Sequence, residues 1–318
     1  MDEVQAKTIT HRFGRNQSVL LIGVIIGISI IVSLLNPNFL TISNLFAVFQ
    51  QVAVLGIITM AMVLLLISGL IDLSLGAMMG LSCVIIAKLV MNGIHIGIAI
   101  MVGVLVCILC GLINGIIVSK SKCVPLIVTL GMSYVYYGFA LVISGGMFLT
   151  LGGKFKVLGR GKLLGIPIPM IVFLFIVLGT YILLKYTKFG RRIVSIGGNE
   201  EAAFLAGINI DAYKIKVYVI GSVLAALAGL VLLSRLGNAL ADVGNGYDLR
   251  ALAAAIIGGV TFEGGKGTVG GAFLGVILLG IVSNAMNILS VSSYYQTVVL
   301  GFIIVVAVVA SNIGKHHK

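Results

Sequence analysis

Charged residues are scarce in this sequence, so any that interrupts an apolar stretch calls for a reason. Asp72 is the sharpest case. It stands in Ser68-Gly69-Leu70-Ile71-Asp72-Leu73-Ser74-Leu75-Gly76, with apolar runs closing on both sides. An acid at the centre of a membrane helix costs roughly 2.5–3.5 kcal/mol on insertion scales. Either it faces a pore or cavity, or it caps the helix that starts at Ser74, where free N–H groups and the helix dipole favour a carboxylate. Both readings stay open on the sequence. A proton relay needs a chain of ionisable groups, and no partner acid is evident.

Other chemistry-bearing residues point away from catalysis. Cys107 and Cys110 read as C-x-x-C, but they sit in an apolar helix, as expected of buried, inert thiols. His11, His95, His316 and His317 occupy tails and a tight turn and give no argument for a metal site. Gly265-x-Gly267-x-x-Gly270 matches a dinucleotide fingerprint only in its letters. No strand precedes it, and it reads as a turn and helix packing. No G-x-x-x-x-G-K-[ST] occurs, so the chain has no phosphate-cradling loop of its own. Hydroxyl and amide side chains recur inside apolar runs. Thr129, Ser133, Tyr134, Tyr136 and Tyr137 share one run, and Asn114, Ser283, Asn284 and Asn287 lie in others. Such polar faces suit passage of a neutral, hydroxylated solute, and the same residue types also bond one helix to another. The candidate solute-pathway residues are Asp72, Ser74, Asn114, Thr129, Ser133, Tyr136 and Asn284.

The elements that must position these residues follow from composition. Of 318 residues, 60% are apolar and 9% charged, against roughly 25% charged in a soluble domain. That excludes an ordinary cytosolic enzyme, a secreted disulfide scaffold and a disordered tail. The long unbroken runs argue against a β-barrel, whose strands alternate over about ten residues. The expectation is an all-α, polytopic membrane protein forming a single transmembrane domain over 1–318. Ten apolar runs are candidate spans: 18–35, 47–67, 75–91, 96–118, 125–144, 166–184, 217–234, 250–262, 268–288 and 294–313. The run at 250–262 is too short to cross alone, since a span needs about 20 residues. It is expected to be a half-helix or a sharply tilted one, packed inside the bundle. Gly-rich breaks near 68–76 and 250–271 are tolerable at membrane depth only inside protein or along a cavity. They do not fall at equivalent places in two five-span halves, so no inverted repeat is claimed. The net charge of +12 fits cytoplasmic loops rich in Lys and Arg rather than nucleic acid. With both termini in the cytoplasm, 14 of the 21 Lys and Arg fall on the inner side. The 145–165 insertion violates this bias with four cations. It is therefore either functional or the mark of a misplaced span. The first apolar run ends at Asn36-Pro37 without a cleavage motif and reads as a retained span.

The longest polar insertion is 185–216. Asn199 can cap a short helix whose first turn carries Glu200 and Glu201, and Gly207 can stop it. Ala202 and Ala203 continue that helix, Phe204 and Leu205 are available to press into a partner, and Arg191 and Arg192 precede it. The other reading is a surface helix lying against the membrane.

A resemblance favours docking. Glu201-Ala202-Ala203-x-x-x-Gly207 is similar to the EAA-type coupling loop of bacterial ABC importer permeases. The stretch from Tyr186 to Lys216 resembles the ribose-type sugar permeases, within the larger family that also holds branched-chain amino-acid permeases. Gly69 to Gly76, Gly111-Leu112-Ile113-Asn114-Gly115, Pro125-x-x-x-x-Thr129-Leu130-Gly131-Met132, Tyr247 to Gly259 and Gly264 to Gly271 resemble further motifs of that family, in order, over about residues 15–312. Leu70 and Leu75 are mild apolar departures from its pattern around Asp72. The resemblance implies the membrane subunit of a sugar importer in the bacterial cytoplasmic membrane. It implies a homo- or heteromeric dimer, cytoplasmic ABC ATPase subunits that bind ATP and Mg, and an extracytoplasmic substrate-binding protein. The chain itself binds no cofactor on this reading and is no enzyme. The residues that would couple to the ATPase are Arg191, Arg192, Glu200, Glu201, Ala202, Ala203, Phe204, Leu205 and Gly207. The rival reading is a secondary transporter of a small polar solute driven by an ion gradient, and a further one is a signalling membrane protein without transport.

Overall fold

The structure is a computed structural model that describes residues 2–121 and 123–313, with backbone alone for 2–16, 307, 308 and 310–313. Lys122, Lys315, His316, His317 and Lys318 lie outside the described residues, as do the side chains of Lys7, His11, Arg12 and Arg15.

Each expected span coincides with a helix. In chain order the helices are α1 (Asp2–Leu35), α2 (Ile42–Ile67), α3 (Leu75–Met91), α4 (Ile96–Ser121), α5 (Pro125–Ser144), α6 (Val157–Arg160), α7 (Ile168–Tyr186), α8 (Lys188–Gly198), α9 (Glu200–Leu205), α10 (Ile210–Leu236), α11 (Tyr247–Ile257), α12 (Val269–Ile288) and α13 (Ser293–Ile313). Among the described residues seven of them, α1, α2, α4, α5, α7, α10 and α12, are long and apolar enough to cross a membrane. The apolar α3 and the described apolar part of α13 are shorter. The half-helix expected near 250–262 is α11, with eleven residues. Local rules set the ends. Thr41 and Thr268 accept from the N–H groups of Asn44 and Gly271 and cap α2 and α12. Pro125 and Pro169 sit in the first turns of α5 and α7, where a missing N–H costs nothing. Gly145 and Gly237 close α5 and α10 in the left-handed conformation.

The core is built around α2. In its most apolar window 89% of residues are buried, against 78% for α10 and 11–17% for α1, α5 and α7. A helix apolar all round belongs inside a bundle or a membrane. Here α2 and α10 are central, with α3, α11 and α12 largely buried beside them, and α1, α5 and α7 expose leucines, isoleucines and valines that suit lipid. Helices α4 and α10 approach closely because Gly111 and Gly115 lie one turn apart on α4. A Cβ at Gly111 would stand 2.3 Å from Ser222 Oγ, and one at Gly115 2.8 Å from Ile215 Cα. This is small-x-x-x-small packing, which lets backbones meet where lipid supplies no hydrophobic drive.

The basic 145–165 insertion leaves the spans around it intact and is itself folded. Strand β1 (Leu149–Thr150) pairs antiparallel with β4 (Asn238–Ala239), and β2 (Lys162–Leu163) with β3 (Ile166–Pro167). Gly159 donates its N–H to Ser234 Oγ at 2.8 Å, and Arg160 Nε donates to the Arg235 carbonyl at 2.7 Å. The insertion thus caps the end of α10.

Candidate functional site

At the opposite end of α10, the 187–209 loop forms a rigid elbow. Thr187 caps α8 by accepting from Gly190 N–H at 3.0 Å. Ile193 and Ile196 bury one face of α8, while Arg191 and Arg192 stay exposed. Arg192 bonds the Tyr213 hydroxyl and lies over its ring, which stacks on Phe189 at 5.5 Å. Arg192 therefore pins α8 to α10, and Arg191 is left to solvent. Asn199 then caps α9, accepting from Ala202 N–H at 2.9 Å, and Glu200 pairs with Lys214 at 2.8 Å. Ala203 is the buried anchor of α9, with Glu201 and Ala202 exposed. Gly207, at φ +77°, ends the turn. What this elbow presents is Phe204 at 67% exposure and Leu205 at 79%. Two large apolar side chains thus point outward from a capped, ion-paired base.

The elbow rests on both Gly-rich breaks. Gly265 N–H donates to the Ile67 carbonyl at 2.9 Å, joining the break after α11 to the end of α2. A Cβ at Gly197 would meet the Ile67 oxygen at 2.0 Å and Gly265 N at 2.8 Å. One at Gly264 would meet the Gly197 oxygen at 2.7 Å and Gly69 Cα at 2.9 Å. Backbone packs on backbone here, with no room for side chains, so α8 abuts both breaks. Each break was legible in the sequence but not their meeting, and 188–198 read only as part of a polar insertion.

Above this junction lies a buried polar cluster. Asp72 Oδ1 accepts from Ser74 N–H at 2.8 Å and from the Ser74 hydroxyl. Asn114 Nδ2 donates to Ser74 Oγ at 2.8 Å and reaches Asp72 Oδ2 at 3.4 Å. The Tyr136 hydroxyl donates to Asn114 Oδ1 at 2.8 Å. Thr129 Oγ1 accepts from Leu73 N–H at 3.1 Å, and the Tyr218 hydroxyl donates to the Ile71 carbonyl at 3.0 Å. All six of these side chains are buried. Asp72 thus precedes the α3 cap residue Ser74 and holds its N–H, inside a network that ties the 68–74 break to α4, α5 and α10. Asp248 on α11 approaches the start of α3, its Oδ1 3.5 Å from the place a Gly76 Cβ would take. Ser133 and Asn284 stand apart from this cluster. Ser133 bonds only within α5, to the Leu130 carbonyl, and Asn284 exchanges two 2.9 Å amide bonds with Asn44 across α12 and α2. Tyr218, Asn44 and Asp248 escaped the sequence analysis. Tyr218 left one signal, a phenol at the start of an apolar run, which must find an acceptor when buried. Tyr218→Phe is expected to lower stability by about 1–2 kcal/mol, read as the thermal midpoint of the purified chain, without changing what α9 presents.

Residues 44–308 match the family model described as branched-chain amino acid transport system / permease component. The chain belongs to that family. It is 40% identical to a ribose import permease of Bacillus subtilis (strain 168) over 88% of each chain. The ribose import permease of Escherichia coli (strain K12) is 37% identical over 89% of each chain. A D-allose transport system permease of the same organism is 38% identical over 88% of this chain and 87% of its own. No solved structure matches the chain. The permease is a multi-pass membrane protein and the permease component of an ABC importer.

Proposed function

We propose that this permease carries a monosaccharide or similar hydroxylated solute across the bacterial cytoplasmic membrane as one domain spanning 1–318. It works in a two-fold dimer, loaded by an extracytoplasmic binding protein and driven by cytoplasmic ATPase subunits that hold ATP and Mg. Both termini and the 187–209 elbow face the cytoplasm. One observation carries this reading: α9 displays Phe204 and Leu205 while its base is packed against the breaks after α2 and α11. The sugar permeases among its relatives support the solute class.

The mechanism follows from that geometry. Closure of the ATPase subunits moves α9, whose Phe204 and Leu205 sit in a cleft on each. The glycine junction has no compressible side chains, so the displacement passes to the 68–74 and 258–268 breaks. The bundle then rocks between inward-open and outward-open states. The Asp72 cluster keeps the first break in one conformation while α3 tilts, so Asp72, Ser74, Asn114, Thr129 and Tyr136 act on the solute through the position of α3.

The test is uptake in vesicles reconstituted with the permease, its ATPase and its binding protein. Sugar accumulation should require ATP and both partners. Uptake that follows an ion gradient without ATP would overturn the reading. In the same system, Phe204→Ala with Leu205→Ala should leave the thermal midpoint within about 1 kcal/mol of wild type, because these side chains bury little in the folded chain. It should abolish co-purification of the ATPase, and retention of that complex counts against the coupling role of α9.

A further inference from the structure

A cavity of about 240 Å³ opens between α2, α11, α12 and α13, near the end of the bundle that carries the 145–167 insertion. Arg235, Tyr247 and Arg250 line it where α10 ends and α11 begins, with Gln51 of α2 and Ser283 of α12. Leu55 and Leu279, near the middle of α2 and α12, close it on the apolar side. Nothing in the coupling mechanism uses this cavity.

Its charge is unbalanced. The ion pairs among the described residues, Lys120 with Asp211 and Lys214 with Glu200, involve neither arginine. No carboxylate lines the cavity. Arg235 gives one Nη1 bond to the Gln50 carbonyl at 3.2 Å, and Arg250 lies over the Tyr247 ring at 5.9 Å. A guanidinium has five N–H donors, so most remain available. Asp248 follows Tyr247 on α11 but points toward α3, where its Oδ1 is 3.5 Å from the place a Gly76 Cβ would take. Two half-buried guanidinium groups that line one cleft without a carboxylate favour an anion between them. Guanidinium groups match planar or tetrahedral oxyanions bidentately.

We propose that this cavity is an oxyanion site, in which Arg235 and Arg250 clamp a phosphate-type group with Tyr247, Gln51 and Ser283 as further polar partners. The group is either the headgroup phosphate of an anionic phospholipid or a soluble phosphate. The site is separate from the solute reading above and does not depend on it.

The test uses the full-length permease purified in a neutral detergent. Its thermal midpoint is titrated with inorganic phosphate and with short-chain phosphatidylglycerol. D-ribose and chloride at matched ionic strength are controls, and native mass spectrometry reads any lipid that co-purifies. Saturable stabilisation is expected from at least one oxyanion, with affinity reduced at least tenfold in Arg250→Gln and partly kept in Arg250→Lys. A retained phosphatidylglycerol assigns the headgroup as the source, and stabilisation by inorganic phosphate alone assigns the soluble anion. Should Arg250→Gln fold poorly, Ser283→Asp supplies a second reading. Its carboxylate should act as an internal counter-ion, raise the midpoint without added anion and erase the oxyanion effect. The proposal is overturned by no saturable response to either oxyanion, by equal responses in wild type and a folded Arg250→Gln, or by stabilisation from D-ribose alone.

Discussion

Gly197→Ala should disable the permease while Gly198→Ala, one residue on, leaves it working. A Cβ at Gly197 would lie 2.0 Å from the Ile67 oxygen and 2.8 Å from Gly265 N, whereas one at Gly198 meets nothing within 4 Å. The obstacles at Gly197 are backbone atoms at the close of α2 and in the second break, so no side-chain rotation relieves them. The elbow must lift away or the Gly265 to Ile67 hydrogen bond must open. Overpacking of this kind costs about 1–3 kcal/mol and sometimes more. The same strain falls on the contact that carries motion from α9. Gly197→Ala is therefore expected to lower the thermal midpoint and reduce ATP-driven uptake by about tenfold or more, the rate factor that about 1.4 kcal/mol of misplaced coupling produces. Gly198→Ala trades a flexible residue for a good helix former near the end of α8 and should be neutral or slightly stabilising. Equal behaviour of the two variants would show that the junction is not tightly packed in the working protein.

The contrast between these neighbours explains what the sequence could and could not disclose. The helices were legible because a run of about 20 apolar residues has one stable outcome in a bilayer. The cap of α9 was legible because Asn199, Glu200 and Gly207 act within a few residues of one another. The half-helix α11 was legible from its length. Contacts between distant segments left no such trace. That Gly197, Gly264 and Gly69 converge depends on how α2, α8 and the second break pack. Asn44 and Asn284 look like two isolated amides until α2 and α12 bring them face to face. The helix α8 was missed because its few apolar residues, Phe189, Ile193, Val194 and Ile196, are interspersed with Arg191, Arg192 and three glycines. Polar residues within spans posed a further ambiguity, since a residue that lines a path and one that braces a loop are chemically alike. Asn114, Thr129 and Tyr136 now have buried partners around the first break, which supports bracing, and Ser133 has none beyond its own helix.

Asp72 gives the second large effect, because its two simplest replacements separate charge from hydrogen bonding. The carboxylate accepts from Ser74 N–H and the Ser74 hydroxyl and lies within reach of Asn114 Nδ2, all in a buried cluster. Asp72→Leu removes the acceptor and leaves these donors without it. An unsatisfied buried polar group costs about 1–3 kcal/mol, so the loss of several should reach about 3 kcal/mol or more and release the break before α3. Folding yield and uptake should fall together. Asp72→Asn keeps an amide oxygen where Oδ1 stands and can accept both Ser74 bonds. Its NH₂ would turn toward Asn114 Nδ2, a donor facing a donor, and that contact is already long at 3.4 Å. Removing a buried charge offsets part of that loss. The Asn variant should therefore stay within about 1 kcal/mol of wild type and keep most of its ATP-driven uptake. Thermal midpoints and vesicle uptake of the two variants decide the matter. If Asp72→Asn inserts, folds and binds its ATPase like wild type yet transports as poorly as Asp72→Leu, then the negative charge acts during transport. Asp248 on α11, which approaches the start of α3 at Gly76, would be the first group to examine as its partner.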